Sequence, residues 1–117
     1  MPSDDKGNLR NLRWSILEMV QRAGEGHIPS SFSALELLYA VYSVMEKNDV
    51  FFLSKGHASA ALYAVLAHFG RIPAKELETY CEYNSSLGGH PHRSPPAIMN
   101  SSGSLGHGFP VAAGYAL

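Results

Sequence analysis

Gly26-His27, Gly56-His57 and Gly89-His90 each place a histidine directly after a glycine, in a turn. Glycine lets the backbone approach a ligand closely, and histidine offers a donor, an acceptor or a proton near neutral pH. Each histidine could also do no more than cap a turn, but recurrence at similar junctions in so short a chain argues against that reading for all three. The second pair has the richest context. Val50-Phe51-Phe52-Leu53 reads as a short buried strand, and Ser54-Lys55-Gly56-His57 is a polar turn running straight into an alanine-rich helix. A strand-turn-helix junction aims backbone N–H groups outward at a helix N-terminus, a setting suited to an anionic group with Lys55 and His57 beside it. Gly103-Ser104-Leu105-Gly106-His107-Gly108 is a second glycine-rich turn before a helix, and its amides could cradle a phosphate or the edge of a heterocycle.

Metal chemistry is the weaker alternative. His90-Pro91-His92 places two histidines two apart, with His27, His57 and His107 also available, yet Glu25 is the only carboxylate adjacent to any of the candidates. No HExxH or comparable spacing occurs, so no metal site is expected within the chain. Cys81, the single cysteine, excludes an intrachain disulfide and a cysteine-based zinc site; it reads as a helix residue without chemistry, lacking a basic neighbour to depress its pKa. His68 reads as a surface residue of its helix, and Trp14 and the tyrosines as core or interface.

The elements that must position these residues follow from periodicity. Leu9, Leu12, Ile16, Met19, Val20 and Ala23 recur at helical spacing over 8–23, and Gly24 is a plausible stop. Residues 24–31 read as a turn, and Ser33 with Glu36 forms a capping-box pattern before an apolar helix over 34–45. After the strand at about 50–53 come a helix over 58–69 ending at Gly70 and, with Pro73 in its first turn, another over 74–83. Residues 84–108 are rich in glycine, proline and serine without periodicity, as a functional loop or a disordered segment would be. The tail over 109–117 reads as an apolar, uncapped helix that something should bury.

At 117 residues, with 45% hydrophobic and 16% charged residues, the chain is one ordered domain at most. A net charge of −1 gives no electrostatic footprint for nucleic acid or an anionic membrane. No apolar run approaches a membrane span and the start lacks signal-peptide character, so the expected location is the cytoplasm. One strand cannot make the parallel sheet that the junction implies. The expected fold is therefore an incomplete α/β domain, mostly helical with one clear strand.

Taken in order, Gly26-His27-Ile28-Pro29, Phe52-Leu53-Ser54-Lys55-Gly56-His57, Gly88-Gly89-His90-Pro91 and Ser102-Gly103-Ser104-Leu105-Gly106-His107-Gly108 resemble the N-terminal part of transketolase, a thiamine-diphosphate enzyme family. Four ordered motifs spread over nearly the whole chain are highly specific. The resemblance is closest to the split bacterial and archaeal type, whose pyrophosphate-binding half is a separate polypeptide; deoxyxylulose-phosphate synthases differ around the second histidine. It implies that residues 1–117 are the N-terminal portion of a pyrophosphate-type thiamine-diphosphate-binding domain. The implied activity is transfer of a two-carbon ketol unit between sugar phosphates. By the resemblance, His27 and His90 are catalytic residues on the substrate side, and His57 lies beside the cofactor diphosphate. Gly103, Ser104 and Leu105 match the loop that meets the cofactor's aminopyrimidine and thiazolium region.

The same resemblance implies thiamine diphosphate and magnesium as cofactors, with the Asp and Asn ligands of magnesium lying outside this chain. It implies a partner, a C-terminal part or subunit carrying the pyrimidine-binding domain with its activating glutamate, in a homo- or hetero-oligomer. His107 stands where many relatives have glutamine, and the segment between Met45 and Val50 is shorter than usual. The chain alone is expected not to turn over. The rival expectation is a non-catalytic truncated relative serving as an assembly element.

Overall fold

The computed structural model describes residues 4–117, and four α-helices carry most of its order. Helix α1 spans Asp5–Ala23 and starts three residues earlier than periodicity predicts, because the Asp4 carboxylate accepts the Gly7 N–H at 2.9 Å. It ends as expected at Gly24, which adopts the left-handed conformation with φ 71°. Leu12, Ile16 and Met19 form its buried stripe.

Helix α2 spans Ile28–Val44, so the predicted turn over 24–31 is only half right. His27 is the N-cap: its Nδ1 accepts the Ser30 N–H at 3.1 Å, and Pro29 sits in the first turn. The expected capping box at Ser33 lies one turn inside the helix, where the Ser33 hydroxyl donates to the Ser30 carbonyl at 3.0 Å. An Arg13–Glu36 ion pair and the hydrogen bonds of Tyr39 with Asn8 and Asp5 tie α2 to α1.

A single turn of 3₁₀ helix, Gly56–Ala58, leads into α3, Ser59–His68. All eight residues from Ser59 to Leu66 are buried. Small alanines alternating with Leu62, Tyr63, Val65 and Leu66 leave no polar face, so the helix is packed on every side, against α1 and α2 among others. His68 is exposed, as expected.

Two predicted elements are corrected. Residues 74–83 are not an α-helix: Ala74–Thr79 forms a 3₁₀ helix, after which Cys81 takes a left-handed φ of 61°. The Cys81 N–H donates to the Leu87 carbonyl at 2.8 Å, a bond that a continuing helix would forbid. Residues 50–53 are not a strand either. Among the described residues the only β-type pairing is an isolated bridge between Ser94 and Ile98. Leu53 nonetheless makes a ladder-like pair of bonds. Its N–H donates to Asn100 Oδ1 and its carbonyl accepts from Asn100 Nδ2, each at 3.0 Å. A buried side-chain amide stands where a neighbouring strand would be.

Helix α4, Gly108–Ala116, packs on none of the other helices. It is held at its start, where the Phe109 N–H donates to the Ser54 hydroxyl at 3.1 Å, and by the edge contact of Tyr115 with the Phe52 ring. Phe109 and Val111 remain exposed. Trp14, expected in core or interface, is 61% exposed and so is no core residue.

Candidate functional site

The three glycine-histidine pairs converge. The His57 ring lies between the other two, edge-on to His27 at 5.6 Å and to His90 at 4.8 Å between centroids. They line a cleft of roughly 290 Å³ together with Glu25, Tyr80 and Cys81. Each histidine arrives from a different element: the N-cap of α2, the 3₁₀ turn before α3, and the loop after Leu87.

The cap bond fixes the ring chemistry of His27. With Nδ1 accepting from Ser30, the neutral imidazole carries its proton on Nε2. His57 is fixed through its neighbours. A Cβ on Gly56 would lie 2.4 Å from Ser102 Oγ and 2.8 Å from His90 Cδ2, so glycine here lets both side chains approach this closely. The His90 loop hangs from α3: the Ser59 hydroxyl donates to the Gly89 carbonyl at 2.6 Å and Tyr63 to the Gly88 carbonyl at 2.7 Å. Burial raises the Tyr63 phenol above its ordinary range, so it remains a donor at any ordinary pH.

Lys55 does not reach an open position; its ammonium donates to the Ser33 hydroxyl at 2.6 Å. The glycine-rich loop borders the same junction, since the Gly106 N–H donates to the Ser54 carbonyl at 3.2 Å. Beyond Gly103 there is open space, with nothing within 4 Å of where its Cβ would be, and Ser104 and Leu105 are exposed. The loop therefore offers a bare backbone face beside the histidine turn, which fits a flat or anionic group lying across it. Ser102 Oγ, buried against Gly56, has no hydrogen-bond partner among the described residues.

Three members of the cleft escape sequence reasoning. Glu25 stands out there only as a carboxylate beside a histidine, and Tyr80 and Cys81 fall in a predicted helix that does not form. The turn at Cys81 brings its thiol within hydrogen-bonding reach of the Glu25 carboxylate. Burial, then that hydrogen bond, raise the thiol pKa to about 11, so it is protonated at neutral pH. No group of three or more His, Cys, Asp or Glu among the described residues is placed to hold a metal ion. A separate hollow of roughly 220 Å³ lies at the Val50 end of the same segment, with Arg71 and Lys47 on its wall but no histidine.

A helix-rich scaffold thus gathers three turn histidines beside an open glycine loop. Residues 5–117 match the family described as "Transketolase, thiamine diphosphate binding domain", and the chain belongs to that family. It is 37% identical over 115 residues to an apulose-4-phosphate transketolase subunit of Phocaeicola vulgatus, covering 90% of this chain and 41% of that protein. The apulose-4-phosphate transketolase subunit of Actinobacillus succinogenes is 38% identical over 104 residues, covering 79% of this chain and 37% of the relative. The transketolase of Mus musculus is 36% identical over 121 residues, or 95% of this chain and 19% of that enzyme. The chain thus spans less than half the length of these curated relatives. No helix among the described residues is long and apolar enough to cross a membrane.

Proposed function

We propose that residues 1–117 form the N-terminal portion of a transketolase-type domain that acts on sugar phosphates once joined by further sequence. That sequence is a C-terminal part or subunit carrying the pyrimidine-binding domain, in a homo- or hetero-oligomer working in the cytoplasm. Thiamine diphosphate, when bound, supplies the carbanion-stabilising chemistry needed to break and remake a carbon–carbon bond next to a carbonyl. Magnesium would neutralise its diphosphate through ligands outside this chain.

The chain's own residues hold and orient. His57 and the Gly103–Leu105 loop face the cofactor, with the loop contributing backbone that no side chain obstructs. His27, with Nδ1 engaged by the helix cap, presents Nε2–H to the hydroxyl groups of a sugar. His90, whose loop is held by Ser59 and Tyr63, lines the same cleft. Two imidazoles on one cleft suit proton movement to and from sugar hydroxyls near neutral pH.

The observation that carries this reading is the convergence of three histidines from three separate elements on one cleft. A calorimetric titration tests it: the 117-residue chain alone should bind thiamine diphosphate and magnesium only weakly, and the assembled complex tightly. Submicromolar binding by the chain alone would contradict the division of ligands. The exposed apolar residues of α4 favour a second reading, an assembly element without chemistry. Absence of ketol transfer by every assembled complex that binds the cofactor would support it.

A further inference from the structure

We propose that Asn100 is a positioning residue that clasps the two walls of the cofactor cradle together, an inference that rests on the function proposed above. One wall is the Ser54–His57 turn; the other is the Gly103–Leu105 loop. They come from segments far apart in sequence, and the described residues contain no sheet to hold them in register. The Asn100 side chain bridges them. It lies three residues before Gly103, and both ends of its amide bond the backbone of Leu53, four residues before His57.

The residue is 6% exposed, so a polar group there is costly unless fully paired. The pairing is complementary: carbonyl oxygen to N–H, and amide N–H to carbonyl. No apolar residue can satisfy Leu53 in this way, and aspartate can satisfy only the N–H. Downstream of the clasp the walls touch at three further points. Ser102 Oγ lies against Gly56, Gly106 N–H bonds the Ser54 carbonyl, and Phe109 N–H bonds the Ser54 hydroxyl. These contacts flank the cradle, and Asn100 adds to them a buried anchor of two paired bonds. Loss of the amide frees the two walls to separate, which lowers affinity for a ligand that spans both without removing any group that touches the substrate.

The test uses the complex of this chain with its complementing sequence, comparing wild type with Asn100→Ala, Asn100→Asp, Asn100→Thr and His57→Ala. Calorimetry should show that Asn100→Ala and Asn100→Asp weaken thiamine diphosphate binding about tenfold or more, equivalent to roughly 1.4 kcal/mol. Turnover at saturating cofactor should stay within about threefold, because no proton-transferring group is lost. Asn100→Thr, which keeps one hydroxyl facing Leu53, should fall between, and it serves where the alanine variant does not fold. Amide hydrogen exchange should quicken in both walls together in the variants. A lowered melting temperature with unchanged cofactor affinity and unchanged exchange at 103–105 would overturn the proposal. A wild-type complex without cofactor affinity would instead refute the proposed function, and the exchange measurement would still decide whether the walls are coupled.

Discussion

His27 carries two duties that a sequence motif cannot separate. It caps α2 through Nδ1 and faces the cleft with the rest of its ring. His27→Ala should therefore lose both a helix cap, worth about 1 kcal/mol, and turnover, by roughly 10²–10⁴-fold in the assembled enzyme. His90→Ala should lose turnover to a similar degree, whereas His57→Ala should raise the cofactor concentration needed for half-maximal activity. Unchanged turnover and cofactor dependence in all three would remove these assignments. Cys81 makes a pH prediction. Its folded-state pKa of about 11 lies above its ordinary value near 9, so above pH 9 the unfolded chain binds fewer protons than the folded one. Stability contributed by the protonated thiol is complete below pH 9 and is lost as pH rises from about 9 to 11. Cys81→Ser should flatten that segment of a denaturation profile measured between pH 8 and 11. Tyr42, raised to about 12 by burial, would carry a further loss at higher pH.

Among the elements, the joint between residues 53–54 and α4 is closed by backbone rather than by side chains. A Cβ on Gly108 would sit 2.6 Å from Ser54 Cα and 3.0 Å from the Leu53 carbonyl oxygen. Both are backbone atoms, so no side-chain rotation relieves the clash. Gly108→Ala should cost about 1–3 kcal/mol by overpacking, read as a lowered melting temperature, whereas Gly114→Ala, with open space around it, should not. The missing strand has the same logic. A run of Val, Phe, Phe and Leu has strand composition, but a strand is defined by its neighbours, and among the described residues one amide side chain supplies its only ladder-like pairing. Helix α3 shows the opposite case: its apolar run is buried as a helix because α1 and α2 pack against it.

On the scale of the whole molecule, apolar surface is unevenly disposed. Leu37 and Val44 on α2 and Phe109, Val111 and Tyr115 on α4 are exposed, the last three along a helix that packs on no other helix. Exposed apolar patches of this kind mark interaction sites. The 117-residue chain alone should self-associate at tens of micromolar in analytical ultracentrifugation, and Phe109→Glu with Val111→Glu should reduce that association. A cooperatively melting monomer at those concentrations would show the surface to be self-sufficient.

The sequence by itself determined the family, because glycine and histidine at fixed motif positions reflect local geometry and chemistry that residue type alone records. It also determined the helices with strong apolar periodicity. Only the tertiary structure decided that the three histidines share one cleft, since their separation depends on how α2, α3 and the 84–108 loop pack. It likewise decided the fate of Cys81 and Asn100. A left-handed turn after Thr79 replaces the helix that Pro73 and the following residues suggest, and it carries the thiol to Glu25 and the cleft. Asn100 sits in a run of turn-forming residues with no periodic signal. Its role is legible only through its bonds to Leu53, 47 positions earlier, because a hydrogen bond across that distance is a property of packing and not of local sequence.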